Sequence, residues 1–415
     1  MKADRIGTML MLATFLAACG GGESRWAGTL TDSAGVTIVS NPAEAIWTEA
    51  DQWTVVEELK IGAVEGDPDY QFGEIWGITV DSRGRIFVLD FHAQHIQVYS
   101  PDGEYQQTVG GPGRGPGELR GAVSIFMEQG DTLLVRDNRA FRFKRYSPDG
   151  SSVPGYRMEI AERRPKLFKA SASGVIAEHF ESRGSAPLRG LPPLASGQPG
   201  IQSPKDGIIL LATDGTVIDT LLTFPSLFAG RGYNIYVPEM IWDLTDDMEL
   251  FCGINDEYRI AIYSNRRLER IITKPFDRRP VSDLEREVLR ERFYAGAPPS
   301  APREVLDRMW SGEEKNMADF FPVFKDLAVG TMGSLWVQHV QAASELSEEE
   351  DFPFREGGAR EWDVFDSEGR FLGVVAMPHR FRPMVFRGDK IYGVWLDEFD
   401  VQYVLRLRVV DIPGE

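Results

Sequence analysis

The stretch from Gly84 to Gly103 shows most clearly how apolar and polar positions alternate along this chain. Two short apolar runs, Ile86–Asp90 and Ile96–Tyr99, flank a polar link, and Ser-Pro-Asp-Gly103 follows the second run. Short runs rich in Ile, Val and aromatic residues predict β-strands, and Ser-Pro-Asp-Gly favours a type I turn. The unit therefore predicts two antiparallel strands followed by a tight turn into a third.

Imperfect copies of this unit recur along the chain. The clearest are Asp131–Asp137 with Ser147-Pro-Asp-Gly150, Gly333–His339 with Asp366-Ser-Glu-Gly369, and Lys390–Asp397. With the strands around them, the copies form six groups. Five of the groups have four predicted strands, and the sixth has three. The run Trp53–Ile61 precedes the first group and predicts the missing outermost strand, which would close a ring and remove open edges. We therefore predict an all-β fold, a six-bladed β-propeller with four-stranded antiparallel blades closed by an N-terminal strand.

The sequence resembles the NHL-repeat β-propellers, and especially the six-bladed propeller lipoproteins of bacteria. The resemblance rests on Gly84–Asp90, on Ile96–Gly103 and on the glycine-rich segment Gly110–Glu118. Propellers host many unrelated activities, so the resemblance implies a fold and not an activity. Some NHL-like propellers are lyases or metal-dependent lactonases, and the resemblance therefore keeps an envelope enzyme open as an alternative.

The predicted links between strands differ strongly in length. In a blade with strands a to d, the a–b and c–d links lie on one face, here called the turn face, and they are short turns in this sequence. The b–c and d–a links lie on the opposite face, here called the loop face, and they contain the insertions 181–206, 276–322 and 341–360. Long loops on one side of a rigid scaffold predict a binding face.

The insertion between the fourth and fifth blades has a helical pattern. Ser282-Asp-Leu-Glu285 has the form of a capping box, and Leu284, Val288 and Phe293 follow at helical spacing. The segment Pro280–Met317 is expected either to pack on the rim of the ring or to cover part of the channel mouth.

The N-terminus has the pattern of a bacterial lipoprotein signal. Lys2 and Arg5 precede an apolar run that is too short to span a bilayer, and Leu-Ala-Ala-Cys19 resembles a lipobox. We expect residues 1–19 to end at a lipidated Cys19, residues 20–34 to form a flexible tether, and residues 35–415 to form one propeller domain. Gly20 after the cysteine resembles outer-membrane sorting in enteric bacteria, so we expect a protein that contacts the membrane through its lipid anchor in the cell envelope, facing the periplasm or the cell surface.

Charge and cysteine content narrow the set of partners. The formal net charge of −18 argues against nucleic acid and against a broad contact with anionic lipid. Cys252 is the only cysteine besides Cys19, so no disulfide is expected, and it is most simply a small buried apolar residue.

Polar residues follow the predicted second strand of several blades. Asp90, Asp137, Asn255 and Asp397 are expected to accept backbone N–H bonds in the b–c turns. Beside them lie His92, His179, His339 and Asp256, residue types that suit a divalent metal when several blades supply them. His92 and His339 are the metal candidates, although no cofactor is predicted.

A second set of candidates is basic. Arg120, Arg136 and Arg139 lie near the loop face, and with Trp76 and Phe141 they are suited to an anionic sugar or another carboxylate ligand. Combining both sets, we expect His92, Arg139, His179 and His339 to converge at the mouth of the channel.

No catalytic signature is present. G-x-S-x-G, H-E-x-x-H and paired C-x-x-C motifs are absent, and the glycine-rich segment has two prolines and no following Gly-Lys-Ser/Thr, unlike a phosphate loop. This favours a binding module for a ligand or a protein partner over an enzyme. A structural component of an envelope assembly is a third possibility.

Overall fold

The strands predicted from the repeat form six separate sheets in the computed structural model of the protein. The structure describes residues 25–157, 163–170, 176–182, 205–212, 214–225, 235–347 and 358–410. The consecutive strands of each blade pair antiparallel in chain order, as expected of propeller blades. The six-bladed architecture is confirmed.

The strands are numbered in chain order. The N-terminal strands are β1 (Thr29–Ser33), β2 (Val36–Ser40) and β3 (Thr54–Ile61). Blade 1 consists of β4 (Ile75–Val80), β5 (Ile86–Asp90), β6 (His95–Tyr99) and β7 (Tyr105–Gly110). Blade 2 consists of β8 (Ala122–Glu128), β9 (Thr132–Asp137), β10 (Arg142–Tyr146) and β11 (Ser152–Arg157). Blade 3 consists of β12 (Arg163–Ala170), β13 (Ile176–Ser182), β14 (Lys205–Leu211) and β15 (Val217–Pro225). Blade 4 contains β16 (Met240–Leu244), β17 (Leu250–Ile254), β18 (Arg259–Ser264) and β19 (Arg267–Thr273). Blade 5 consists of β20 (Leu327–Val329), β21 (Leu335–Val340), β22 (Gly358–Phe365) and β23 (Phe371–Ala376). Blade 6 contains β24 (Phe381–Arg387), β25 (Lys390–Leu396) and β26 (Gln402–Val410).

Blade 6 takes its outermost strand from the other end of the chain. β3 pairs antiparallel with β26, in a register that runs from Ile61 opposite Val404 to Thr54 opposite Val410. Trp53, just before β3, is buried in the core between blades 5 and 6. The predicted ring closure is therefore confirmed.

Blade 4 is wider than the sequence suggested. The run Gly35–Ser40 reads as a strand, but its place in the fold was not predicted: β2 pairs parallel with β19, and β1 pairs antiparallel with β2, so the sheet has six strands. A two-residue turn at Ala34 and Gly35, both with positive φ, joins β1 to β2. Asn41 after β2 binds blade 5, donating to the Gly369 carbonyl at 2.9 Å and accepting from Phe371 N at 2.7 Å.

The core lies between blades. Phe87, Leu89 and Val98 of blade 1 pack with Ile125 and Val135 of blade 2 in one buried cluster. Because both faces of an inner strand are covered by neighbouring sheets, all residues of β5 are buried. This explains why the strongest repeats read as continuous apolar runs and not as alternating ones.

The c–d turns also contribute to packing between blades. Gly103 and Gly369 close such turns with φ near +85°, a conformation that favours glycine. A Cβ at Gly103 would lie 2.9 Å from Leu59 of β3, and a Cβ at Gly369 would lie 2.7 Å from Ile272 of β19. Each turn therefore needs glycine both for its backbone and for its contact with the preceding blade.

The insertion between blades 4 and 5 forms two helices, α1 (Asp283–Ala295) and α2 (Arg303–Asn316). They pack on blade 5 through a cluster that includes Trp310, Phe321 and Ala342. Among the described residues, neither helix is long and apolar enough to cross a membrane.

Only half of the predicted capping box forms in α1. Ser282 Oγ accepts from Glu285 N at 3.1 Å, as predicted. The Glu285 carboxylate does not return to Ser282 but accepts from Ala343 N at 2.9 Å, Ser344 N at 2.8 Å and Tyr236 Oη at 2.5 Å. The buried Glu285 therefore joins the insertion to the b–c link of blade 5.

Candidate functional site

Polar residues at the ends of the b strands organise the loop face. Asp90 accepts from Gly73 N at 2.7 Å and Ala93 N at 3.0 Å, and Asp137 accepts from Arg120 N at 3.0 Å and Ala140 N at 2.9 Å. Asn255 and Asp397 accept in the same way, from Glu239 N and from Phe399 N and Val401 N. Asp90, Asp137 and Asp397 fold their b–c turns, as predicted. Asn255 instead holds the start of strand a in its own blade and donates to the Phe324 carbonyl before blade 5 at 3.0 Å.

Two glutamines that sequence reasoning missed connect adjacent blades on this face. Gln94 Oε1 accepts from Ala122 N of blade 2 at 2.8 Å, and Gln402 Oε1 accepts from Ile75 N of blade 1 at 2.7 Å. Gln94 follows Asp90 by four residues and Gln402 follows Asp397 by five, so the two glutamines share a place in the repeat but no fixed spacing.

The a strands surround a central channel. The cavity has a volume of about 1820 Å³ and extends on the turn face towards the outer strands of blade 4. Its lining includes residues of all six innermost strands or their ends, among them Trp76, Lys169, Asp243 and Arg382. A cavity of this size is large enough for a small organic ligand.

The two ends of the channel carry opposite charge. A strand a starts at the loop face and ends at the turn face, so the position of a residue in its strand shows which end it lines. The charged lining residues at the loop face are Arg136, Lys325, Asp326, Arg360, Arg380 and Arg382. Those at the turn face are Glu128, Asp131, Lys169, Asp243, Asp246, Asp247, Glu249, Arg267, Glu269, Arg270 and Arg387. The described part of the loop-face mouth is therefore basic, and the turn-face end is acidic.

Ion pairs and hydrogen bonds hold the acidic end in place. Lys169 of blade 3 binds Asp243 of blade 4 at 2.5 Å, and Asp243 also accepts from Val329 N of blade 5 at 2.9 Å. Burial alone would lower the pKa of Lys169, but Asp243 and Asp326 outweigh it, so the pKa is raised and the ammonium stays charged.

An aromatic pair lies at the loop-face mouth. The rings of Trp76 and Phe91 are stacked, with centroids 3.7 Å apart and planes 8° apart. Trp76 lines the channel and is 37% exposed. Arg382 Nη2 donates to the Ile75 carbonyl at 3.2 Å, and Arg382 lines the same cavity as Trp76.

Further basic side chains lie around the same mouth. Arg360 Nε donates to the Met377 carbonyl at 2.8 Å, and its Nη1 donates to His379 Nε2 at 2.8 Å. Burial lowers the pKa of Arg136, and the Glu178 carboxylate opposes that shift. An arginine remains protonated under such conditions, so blades 2, 5 and 6 all present positive charge here.

The structure does not bring together the four residues expected at the mouth. His92 is 67% exposed and lies 3.2 Å from Glu74 of its own blade, and Arg139 is exposed and covers Gly121. His179 is buried in blade 3, where it packs edge-to-face on Phe224 at 5.6 Å. None of these residues is among the described residues that line the channel.

His339, the fourth residue, belongs to a separate cluster between blades 4 and 5. Its Nε2 lies 2.8 Å from Asp363 Oδ1, while Tyr258 Oη and Lys274 Nζ donate to Asp363 Oδ2 at 2.5 and 2.7 Å. Burial opposes ionisation of Asp363, but the hydrogen bond from His339 and the charge of Lys274 outweigh it and lower the pKa of the carboxyl. His339 thus contributes to contact between blades and does not line the channel.

The predicted convergence is wrong for a geometric reason. β13 continues to Ser182 and β21 to Val340, so His179 and His339 lie within strands and not in the links after them. Of the basic candidates, Arg136 lines the channel, whereas Arg120 is an exposed residue of the d–a link. Asp256 is half-buried in a b–c turn away from the channel lining.

Other features of the loop face also lie outside the channel lining. No described residue of Pro280–Met317 lines the channel, so the helices pack at the rim. The glycine-rich segment uses its backbone donors internally: Gly115 N donates to Glu118 Oε2 at 2.6 Å and Leu119 N to the Gly111 carbonyl at 2.7 Å. It therefore does not form a phosphate cradle.

Two observations bear on reactive groups. Cys252 is buried, and burial raises the pKa of its thiol to about 12, consistent with an unreactive apolar residue. Over the described ranges, no group of three or more His, Cys, Asp or Glu side chains has the geometry to hold a metal ion.

Comparison with known proteins supports the fold. The family DUF5128, described as a 6-bladed beta-propeller, matches residues 64–153. A candidate exported protein of Bacteroides fragilis has 12% identity and a TM-score of 0.52, over 90% of this chain and 100% of that chain. A DUF4221 family member from Bacteroides vulgatus has 11% identity and a TM-score of 0.52, over 88% of this chain and 100% of that chain.

A more distant similarity is to virginiamycin B lyase of Staphylococcus aureus, with 12% identity and a TM-score of 0.41 over 86% of this chain and 100% of that chain. A comparison with curated proteins finds no match. The similarity to the two Bacteroides proteins shows a common fold and nothing about activity. The chain is a six-bladed β-propeller with four-stranded antiparallel blades.

Proposed function

We propose that this propeller is a lipid-anchored binding protein of the bacterial cell envelope, and that it binds a small ligand at the loop-face mouth of its central channel. The observation that carries the proposal is the convergence of Trp76, Arg136, Arg360 and Arg382 from four blades on one continuous cavity. Binding pockets typically combine an aromatic surface with a few oriented polar groups, and a rigid ring holds such groups at fixed separations.

The envelope location is supported by the N-terminal sequence. The charged start, the short apolar run and Leu-Ala-Ala-Cys19 together form the pattern of a lipoprotein signal, and Gly20 after the cysteine fits sorting to the outer membrane. Lipidation with more than one acyl chain would make the membrane attachment stable. The mature domain would then contact the membrane only through this anchor, which suits a surface of strong negative charge.

Fractionation of cells that express a Cys19→Ser variant tests the anchor. We expect the variant to appear in the soluble fraction or to remain unprocessed, because serine cannot receive the lipid. Cys252→Ser is the matched control, since it changes the only other cysteine, and it should stay with the membranes. A processed Cys19→Ser protein that remains wholly with membranes at high salt contradicts the lipoprotein assignment.

Native mass spectrometry of the protein extracted from envelopes tests the binding role. We expect a population with the added mass of a small molecule, which should decrease when Arg382 is changed to Gln. Protein that carries no added mass, and that gains no thermal stability from any member of a panel of sugars, amino acids and organic acids, contradicts a binding role for the channel.

A further inference from the structure

The loop-face mouth has both an aromatic surface and basic side chains in its lining. We propose that it binds a sugar acid, a pyranose-sized ring that carries one carboxylate, with the ring on Trp76 and the carboxylate towards Arg382. This inference rests on the proposed role of the channel as a binding site, and it names the class of ligand.

The aromatic side of the site is prepared for a ring. Phe91 supports one face of Trp76 at 3.7 Å, which fixes the plane of the indole, while 37% of the Trp76 surface remains exposed. The face of an aromatic ring is electron-rich and attracts weakly positive C–H groups, which cover one side of a pyranose. A supported, partly exposed indole in a channel wall is therefore well suited to stacking with a sugar.

The basic side of the site is suited to a carboxylate. Arg382 donates a hydrogen bond to the carbonyl of Ile75, the residue before Trp76, which positions its guanidinium at the start of the strand that carries the indole. Lys325 and Arg360 of blade 5 line the same mouth. A guanidinium binds carboxylates through paired N–H groups, and it does so most strongly where surrounding protein excludes bulk water.

The opposite end of the channel limits the size and charge of the ligand. Its described lining has seven carboxylates and four basic side chains. A long polyanion that extended through the channel would meet this negative charge, so a nucleic acid or an extended acidic polymer fits poorly. A ligand with a single carboxylate that stays in the loop-face half avoids the repulsion.

Two arginines of β24 provide a matched pair of variants. Arg382 donates to the carbonyl of Ile75 at the start of β4, and Arg387 donates to the carbonyl of Val80 at its end. Both side chains connect the same two strands and both line the channel, but at opposite ends. Changing either one to Gln removes a comparable contact between blades, whereas only Arg382 lies at the proposed site.

Isothermal titration calorimetry of the intact mature protein with glucuronate, glucose and acetate tests the proposal. We expect glucuronate to bind roughly tenfold or more tightly than glucose or acetate, because only glucuronate has both the ring and the charge. Arg382→Gln and Trp76→Leu should each weaken glucuronate binding by about tenfold or more. Arg387→Gln and Phe399→Leu, which changes an aromatic residue 76% exposed on another b–c turn, should leave it within about twofold.

Several results would overturn the ligand class. Absence of glucuronate binding, equal affinity for glucose, or equal loss in Arg382→Gln and Arg387→Gln would each do so. Equal binding of acetate together with no effect of Trp76→Leu would also exclude a sugar acid, but it would leave the channel as an anion site. Failure of the proposed function itself would appear separately, as protein without any bound or stabilising small molecule.

Discussion

Removing the carboxylate of Glu285 should release the helical insertion from the ring. Glu285 is fully buried, and it accepts hydrogen bonds from two consecutive backbone N–H groups, those of Ala343 and Ser344, and from the Tyr236 hydroxyl. Glu285→Ala leaves these three donors facing a small cavity. The Tyr236 hydroxyl can rotate towards water, but the two backbone groups are held by the chain.

The expected cost follows from those two backbone groups. A buried donor without an acceptor costs about 1–3 kcal/mol, so the variant should lose about 2–6 kcal/mol of docking free energy. Because α1 and α2 pack through their own apolar cluster with Trp310 and Phe321, the loss should appear first as local detachment of the insertion, with the blades still intact.

Hydrogen exchange measured by mass spectrometry, together with chemical denaturation, provides the assay. We expect faster exchange in α1, α2 and the segment with Ala343 in the variant, and unchanged exchange in β5. Glu287→Ala is the control, because Glu287 is an exposed residue of the same helix and its loss should cost less than about 0.5 kcal/mol. Equal exchange in the two variants would refute the role assigned to Glu285.

The stabilisation by the Glu285 carboxylate should depend on pH. Burial opposes ionisation of Glu285, but the hydrogen bonds from Tyr236 and Ser344 outweigh it, so the pKa is lowered in the folded protein. A lowered pKa stabilises the fold only above the pKa of the unfolded chain, about 4.3, and this stabilisation is lost as the pH falls through the folded value. The difference between wild type and Glu285→Ala should therefore shrink below about pH 4.

Two further predictions concern the ring and the histidines. Deleting residues 25–61 removes β3 and exposes the edge of β26, so the protein should aggregate, as size-exclusion chromatography would show. Deleting residues 20–24 should not cause aggregation. Equal behaviour of the two proteins on the column contradicts the ring closure. His339→Ala removes a partner of the buried Asp363 and should lower the free energy of unfolding by about 1–2 kcal/mol, whereas His92→Ala should change it by less than about 0.5 kcal/mol. Denaturant unfolding curves of equal midpoint would show that the His339 contact contributes nothing.

The ring could be predicted from sequence because each blade repeats a strong local pattern. Strands buried on both faces read as apolar runs, and the c–d turns carry Asp and Gly at fixed positions, so the phase of the repeat is visible without tertiary information. The position of β2 was not predictable in the same way. A parallel strand added to the outside of blade 4 needs no turn signal and no repeat, and only its apolar run marks it.

The site was predicted less well because side-chain direction depends on where each strand ends. Because β13 continues to Ser182, His179 lies inside a sheet and is buried. The arginines that do line the loop-face mouth, Arg360 and Arg382, lie near the starts of strands in blades 5 and 6 and follow no motif. Only Arg136 and Trp76 were identified in advance, from their place in the repeat.

The pairing of β3 with β26 has a consequence for how this protein is made. β3 precedes blade 1 in the chain, whereas its partner β26, which pairs through residues 404–410, is made only after all five other blades. Until then blades 1 to 5 can form from local contacts, while β25 and β3 both lack the strand that joins them and blade 6 stays incomplete. A chain that stops short of β26 keeps an open ring with two unpaired edges, which a protease or chaperone can recognise. Synthesis of β26 therefore completes blade 6 and closes the ring.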